Sequence, residues 1–211
     1  MASMGIYLFN KDVLVECLEN DLIDFGSDII PVAAAERKVQ AHFFKGYWKD
    51  IGTIQAFYDA HMDLVSPNPP FHFNDPEWPF YTWPQYLPGA RLDDSRFKRS
   101  ILCEGTRVIE SVVERSVIGL RTSVRGATVR RSLVMGVDPN PPDAPSGTPP
   151  LGVGEGAVIE GAIVDKNARI GRNVSITNPD RIQEADGDGW VIREGIVVVT
   201  KNAIIPDDTK I

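Results

Sequence analysis

The chain has 211 residues, 43% of them hydrophobic, and carries a net charge of −7 with only two cysteines. That length allows one large or two small domains with a real core. The acidic balance argues against a general nucleic-acid binder, which is normally basic. Cys17 and Cys103 lie far apart in sequence, fit a reducing compartment, and offer neither a disulfide framework nor a CxxC zinc site. No apolar run reaches the length of a membrane span, and "MASMGIYLFNKD" lacks the order of a secretory signal. Neither a nucleic-acid nor a membrane partner is expected. The opening residues read as a strand reached at once, which suggests a truncated chain.

Residues 1–64 alternate strand and helix signals. "MGIYLF" is a short apolar strand candidate, and "NKDVLVECLEN" follows with Val13, Leu14, Cys17 and Leu18 at helical spacing. "KVQAHFF" reads as a second strand. Thr53 is placed to cap a helix with the face Ile54, Phe57, Tyr58 and His61. This order predicts an α/β layer, too short to be a whole α/β domain. Residues 65–98 form a linker rich in proline and aromatic residues. Seven of the 16 prolines lie between Pro67 and Pro88, so this stretch is neither helix nor central strand. Its aromatics (Phe71, Phe73, Trp78, Phe80, Tyr81, Trp83) predict packing against a neighbouring domain.

Residues 99–211 count in sixes. Val112, Ile118 and Val124 repeat by six, as do Val158, Val164, Ile170 and Ile176, and again Val199, Ile205 and Ile211. A hexapeptide repeat is the mark of a parallel β-helix, with one short strand and one corner per repeat. The proline-rich stretch 137–150 reads as a loop interrupting that array. "GVGEG" at 152–156 imitates half a phosphate loop but lacks the strand before it and the helix after it, so it reads as a turn. Two catalytic uses of β-helices, acyl transfer with a histidine base and carbonic anhydration on a three-histidine zinc, both need histidine in the coil. His42, His61 and His72 all lie outside it. The coil is therefore expected to serve structure, assembly or regulation.

The segments "SMGIYLF", "DFGSDIIP" and "GYWKDIGTIQAFYDAHMDL", then "SVIGLR", "SLVMG", "IVDKNARIG" and "GIVVVTKNAIIP" occur in that order. Together they closely resemble the C-terminal half of the ADP-glucose pyrophosphorylase (glucose-1-phosphate adenylyltransferase) family, its plant and cyanobacterial branch above all. The resemblance implies the end of a Rossmann-like nucleotidyltransferase domain followed by a left-handed parallel β-helix. It also implies synthesis of ADP-glucose and pyrophosphate from ATP and glucose 1-phosphate with Mg²⁺, in glycogen or starch synthesis. A homo- or hetero-tetramer under control of sugar-phosphate or phosphate effectors is expected, in the cytoplasm or a plastid. Related readings are a non-catalytic regulatory subunit and another sugar-1-phosphate nucleotidyltransferase.

By the same resemblance, Ser3, Tyr7, Asp24, Phe25, Trp48 and Asp50 match positions around glucose 1-phosphate. Ser3 and Asp24 can hydrogen-bond sugar hydroxyls, Trp48 and Phe25 can face a sugar ring, and Asp50 is a hard oxygen donor suited to Mg²⁺. The residues alone leave Tyr7 and Phe25 open to plain packing or turn-bracing roles. Lys166 and Lys201 match lysines that bind anionic effectors, whereas a corner lysine read bare is a solvated charge. In "YTWPQYLP", Gln85 stands where the family pattern has an arginine, and Arg91 is a candidate replacement. The family's glycine-rich loop, catalytic aspartate and sugar-phosphate lysine find no match in residues 1–64, so this chain alone is expected to be inactive.

Overall fold

A computed structural model describes residues 3–211. Met1 and Ala2, and with them the abrupt start of the chain, lie outside the described residues. The chain divides into two compact units, Met1–Trp48 and Lys49–Ile211.

The first unit contains helix α1 (Lys11–Leu18), a single π turn (Phe25–Ile29) and helix α2 (Ile30–Glu36). Asp24 starts the π turn by accepting the Ser27 amide, and Pro31 stands in the first turn of α2, where its missing N–H costs nothing. An ion pair of 2.7 Å joins Arg37 to Glu16 of α1. "MGIYLF" and "KVQAHFF" are not strands here. A strand needs a hydrogen-bonded neighbour, and among the described residues neither segment has one. Ile6, Leu8, Ile23, Val39 and Phe43 are exposed, while Ile29 and Ala33 supply the unit's buried apolar side chains.

The second unit is a parallel β-helix. Its strands of two to four residues build three sheets of six, five and seven strands. Equivalent inward residues stack coil on coil. Val108, Val124, Val153, Ile170 and Ile205 form one column. Phe97, Val113, Val129, Ile159 and Ile176 form the second. Leu102, Ile118, Val134, Val164 and Val199 form the third. Within this one core the Val and Ile members are buried almost completely.

The register corrects the strict count in sixes. Val112 and Val158 point outward and are half-exposed, and their neighbours Val113 and Ile159 fill the core. The corners explain the shift. Glu110, Arg115 and Arg131 each turn the chain in a single left-handed residue, with φ near +50°, +49° and +43°. A serine follows each of them. Its hydroxyl donates to the carbonyl two residues back and accepts an amide from the next coil. Ser111 donates to Ile109 at 2.6 Å and accepts from Ala127 at 3.1 Å. Ser132 donates to Arg130 at 2.7 Å and accepts from Ala162 at 3.2 Å. Such a corner takes five residues rather than six, so coils joined this way repeat after 16 residues. The left-handed backbone costs about 1 kcal/mol or more at a non-glycine residue, offset by satisfying polar groups that would otherwise be buried unpaired.

Helix α3 (Ile54–Leu64) seals the outer face of the seven-stranded sheet. Thr53 caps it by accepting the Ala56 amide at 3.1 Å. Ile54, Phe57, Tyr58 and Met62 pack on Val117, Leu133 and Ile163, and the His61 ring lies 2.8 Å from the Phe57 carbonyl oxygen. In the linker, the rings of Phe71, Phe73 and Phe80 lie 5.3 to 5.9 Å apart, and Trp78, Tyr81 and Trp83 are exposed. Pro88 accepts the Gly105 amide and Gln85 meets Arg121, Val65 packs with Val117 and Leu133, and the coil begins before residue 99, since Arg91–Asp93 and Arg96–Lys98 are already coil strands.

Two excursions leave the coil. Proline-rich residues 137–150 loop out after strand Leu133–Val134. A second, unforeseen from the sequence, forms the antiparallel hairpin Ala185–Gly187 and Trp190–Arg193, whose second strand pairs with Ile196–Val199. That hairpin covers one end of the seven-stranded sheet, an edge that would otherwise template pairing with another chain.

Truncation separates the two possible registers. Ile159→Ala should cost about 2–5 kcal/mol of unfolding free energy and Val158→Ala well under half as much, read by denaturant titration of the two variants. Equal losses would contradict the observed register.

Candidate functional site

In the first unit the structure gathers several of the expected sugar-phosphate residues. Ser3 Oγ lies 2.7 Å from the Tyr7 hydroxyl. The Tyr7 and Phe25 rings are 5.6 Å apart, and Phe9, not singled out from the sequence, lies 5.8 Å from Phe25 and completes an aromatic trio. Asp24 adjoins this trio and is exposed. One of its oxygens accepts the Ser27 amide at 2.5 Å, and that bond, with the Ser27 hydroxyl and the Gly26 amide, holds its carboxyl below the usual range. Its role here is therefore partly that of a cap. Trp48 ends the unit and is 42% exposed.

Asp50 lies in the second unit, just before α3. Its Oδ1 accepts the Gly52 amide at 2.9 Å and shapes the turn into the helix. Among the described residues no group of three or more His, Cys, Asp or Glu gathers as a metal cage. A single exposed carboxylate with one oxygen still free nevertheless fits Mg²⁺, which commonly takes one or two protein carboxylates and completes its shell with water and substrate phosphate. Asp50 would hold the ion, and the ion would screen phosphate charge.

The densest polar geometry lies on one corner of the coil. Lys166 and Lys201 occupy equivalent positions in adjacent coils, since the Asn202 amide donates to the Lys166 carbonyl at 2.9 Å. Both ammonium groups meet one carboxylate, that of Asp138. Lys166 reaches Oδ1 at 3.3 Å and Lys201 reaches Oδ2 at 2.9 Å. The buried Asn167 side chain donates to Asp138 Oδ2 at 3.0 Å and to Asn202 Oδ1 at 2.9 Å, and accepts the Asp138 amide at 2.8 Å. Lys201 first, then Asn167 and Lys166, pull the Asp138 carboxyl down to about 2. The corner is therefore a cluster of two ammonium groups and a buried amide around one carboxylate.

One coil further along the same edge, Arg121 donates to Gln85 Oε1 at 2.8 Å and to the Val137 carbonyl at 3.4 Å. Arg91 pairs with Asp93 at 2.8 Å. Asp138, Asn167, Asn202 and Arg121 were not singled out from the sequence. A signal for two of them, Asn167 and Asn202, was present. "KNARI" and "KNAII" begin at Lys166 and Lys201 and place Lys, Asn, Ala and Ile identically in two coils. Asn167 and Asn202 share φ near +63°. "GVGEG" is indeed strand and turn. A Cβ at Gly152 would fall 2.2 Å from the Ser123 carbonyl oxygen, so that glycine serves close stacking of coils.

The structure defines a parallel β-helix preceded by a short helical segment. Comparison with protein families agrees. The model of the GLGC left-handed parallel beta-helix domain matches residues 85–210, and that of the nucleotidyl transferase domain matches residues 1–66. The chain belongs to the GLGC left-handed β-helix family, and the two matches in this order are those of the C-terminal region of a sugar-1-phosphate nucleotidyltransferase of the ADP-glucose pyrophosphorylase type.

The Asp138 cluster has a pH signature. Its carboxyl titrates lower in the folded chain than the ordinary 3.8. The cluster's stabilisation is therefore complete above that value and lost as the pH falls toward about 2. The stability difference between wild type and Asp138→Asn should be present at pH 6 and vanish near pH 2. Unfolding curves at both pH values check this, and a difference independent of pH would contradict it.

Proposed function

We propose that this chain supplies the sugar-phosphate side and the regulatory coil of a glucose-1-phosphate adenylyltransferase. The enzyme joins ATP and glucose 1-phosphate into ADP-glucose and pyrophosphate, with Mg²⁺, for glycogen or starch synthesis. The observation that carries this reading is the succession of the two family segments over nearly the whole chain. Ser3, Tyr7, Asp24 and Phe25 lie together in the first unit as one face of a sugar site. A carboxylate and a hydroxyl suit sugar hydroxyls, and aromatic faces suit the apolar side of a pyranose. Trp48 would add a second such face and Asp50 a ligand for Mg²⁺. Phosphoryl transfer relies on positioning and charge stabilisation. The groups that grip ATP have no counterpart in residues 1–64, so the 211-residue chain by itself is inactive.

The corner of Lys166 and Lys201 supports a regulatory role: it is an anion site formed wholly within the coil unit. Its ligand class is phosphoryl, inorganic phosphate or a sugar phosphate. Assembly as a homo- or hetero-tetramer and a cytoplasmic or plastid location belong to the same proposal.

A chimera tests it. With the nucleotide-binding half of an ADP-glucose pyrophosphorylase fused ahead of it, the chain should release pyrophosphate from ATP and glucose 1-phosphate. The unfused chain should release none. Asp24→Ala in the chimera should lower kcat/KM by about ten- to a hundredfold, the cost of one or two charge-assisted hydrogen bonds. A chimera that prefers mannose 1-phosphate with GTP would replace the proposed substrates, and turnover by the unfused chain would refute its assigned inactivity.

A further inference from the structure

The proline-rich insert has a function that its composition does not announce. It places Asp138 between two lysines that would otherwise face solvent together. Two ammonium groups one coil apart repel each other, and a buried amide beside them has one N–H directed to the same point. An anion between them relieves that repulsion. Here both carboxylate oxygens are used, Oδ1 by Lys166 and Oδ2 by Lys201 and Asn167. The insert is stiff where it matters. Pro139 directly follows Asp138 and confines it to extended backbone, and Pro141 and Pro142 follow closely. Its base is tied on both sides: the Val137 amide donates to the Leu120 carbonyl at 2.8 Å, and the Asp138 amide to Asn167 Oδ1 at 2.8 Å. The carboxylate is thus delivered with little loss of side-chain freedom.

We infer that Asp138 is a tethered competitor for the Lys166–Lys201 site, so that a phosphoryl anion binds there only as the Asp138 carboxylate leaves. This rests on the reading of that corner as an anion site for phosphoryl ligands. Two anions cannot share the same two lysines without strong like-charge repulsion. The site therefore has two states: insert docked through Asp138, or insert released with phosphoryl bound. Apparent affinity is lowered by the fraction of time the site is closed; nine-tenths closed lowers it about tenfold. Binding at the corner is thereby converted into movement of a segment rooted beside Arg121 and Gln85. The competitor also acts as a specificity filter. A monoanion offers little over the resident carboxylate, whereas a phosphoryl dianion brings more charge and a third oxygen.

The test uses the intact 211-residue chain, with inorganic phosphate and glucose 6-phosphate as probes at constant ionic strength, followed by calorimetry. Asp138→Asn should bind at least one probe about tenfold or more tightly than wild type does. The probe with the larger gain identifies the source of the phosphoryl group. Adding Lys201→Ala to Asp138→Asn should abolish that gain. Asp138→Ala, which removes the side chain altogether, should gain similarly, so one poorly folded variant does not decide the result. Lysine-dependent binding of equal strength in wild type and both variants would overturn the competitor role and leave the anion site standing. Absence of lysine-dependent binding in every variant would overturn the anion site as well.

Discussion

Every feature of the coil unit depends on one constraint: each residue lies directly above and below its equivalents in neighbouring coils. The inward columns are columns because a parallel ladder fixes which residue meets which. A branched apolar side chain then meets the same shape one strand spacing away, about 4.8 Å. The constraint holds equally for the corners. A hydroxyl that accepts an amide from the next coil works only if the next coil turns at the same place. Ser95, Ser111 and Ala127 form one such series, and Ser100, Ser116, Ser132 and Ala162 another. Each series ends in alanine, where a hydroxyl no longer has a matched corner ahead of it. Stability in such a stack is largely a sum of nearest-neighbour terms, which is why the chain can loop out twice without losing its register.

Much of this was legible in the sequence because the core column repeats. Ile118, Val124, Val164, Ile170, Ile176, Val199 and Ile205 were recognised as inward by spacing alone, and they are. The exceptions are instructive. Val112 and Val158 have apolar neighbours, so composition cannot say which of each pair points inward. The corner decides, through a left-handed residue followed by serine that removes one residue from the repeat. Helix α3 was legible because its cap and its face are local properties. The two expected strands of the first unit were not, because a strand is a property of its partner.

The candidate sites divide along the same line. Ser3, Tyr7, Asp24 and Phe25 were named by resemblance, and a hydroxyl pair and a ring contact link Ser3, Tyr7 and Phe25. The lysines were named singly, yet their meaning lies in what they share. No spacing within "DKNARIG" reveals that Lys166 and Lys201 meet at one point, because the hairpin excursion separates them in the chain. Asp138 was still less visible, an acid in a segment that read as a loop. Its significance comes from the third dimension: residues from two coils and an insert converge on one carboxylate.

That convergence also follows from stacking. Adjacent coils hold the two lysines at backbone positions one rung apart, and long side chains can close that gap onto the two oxygens of one anion. Two rungs apart they would need two anions. The bite of the site is therefore set by the β-ladder rather than by the lysines, and the register Ile170 to Ile205 maintains it. The backbone of this corner is held by the ladder. Adaptation has to come from the insert, the one participant not built into the ladder. The fold thus separates the two requirements of a switch, placing fixed geometry in the coil and the movable charge in a loop anchored beside it.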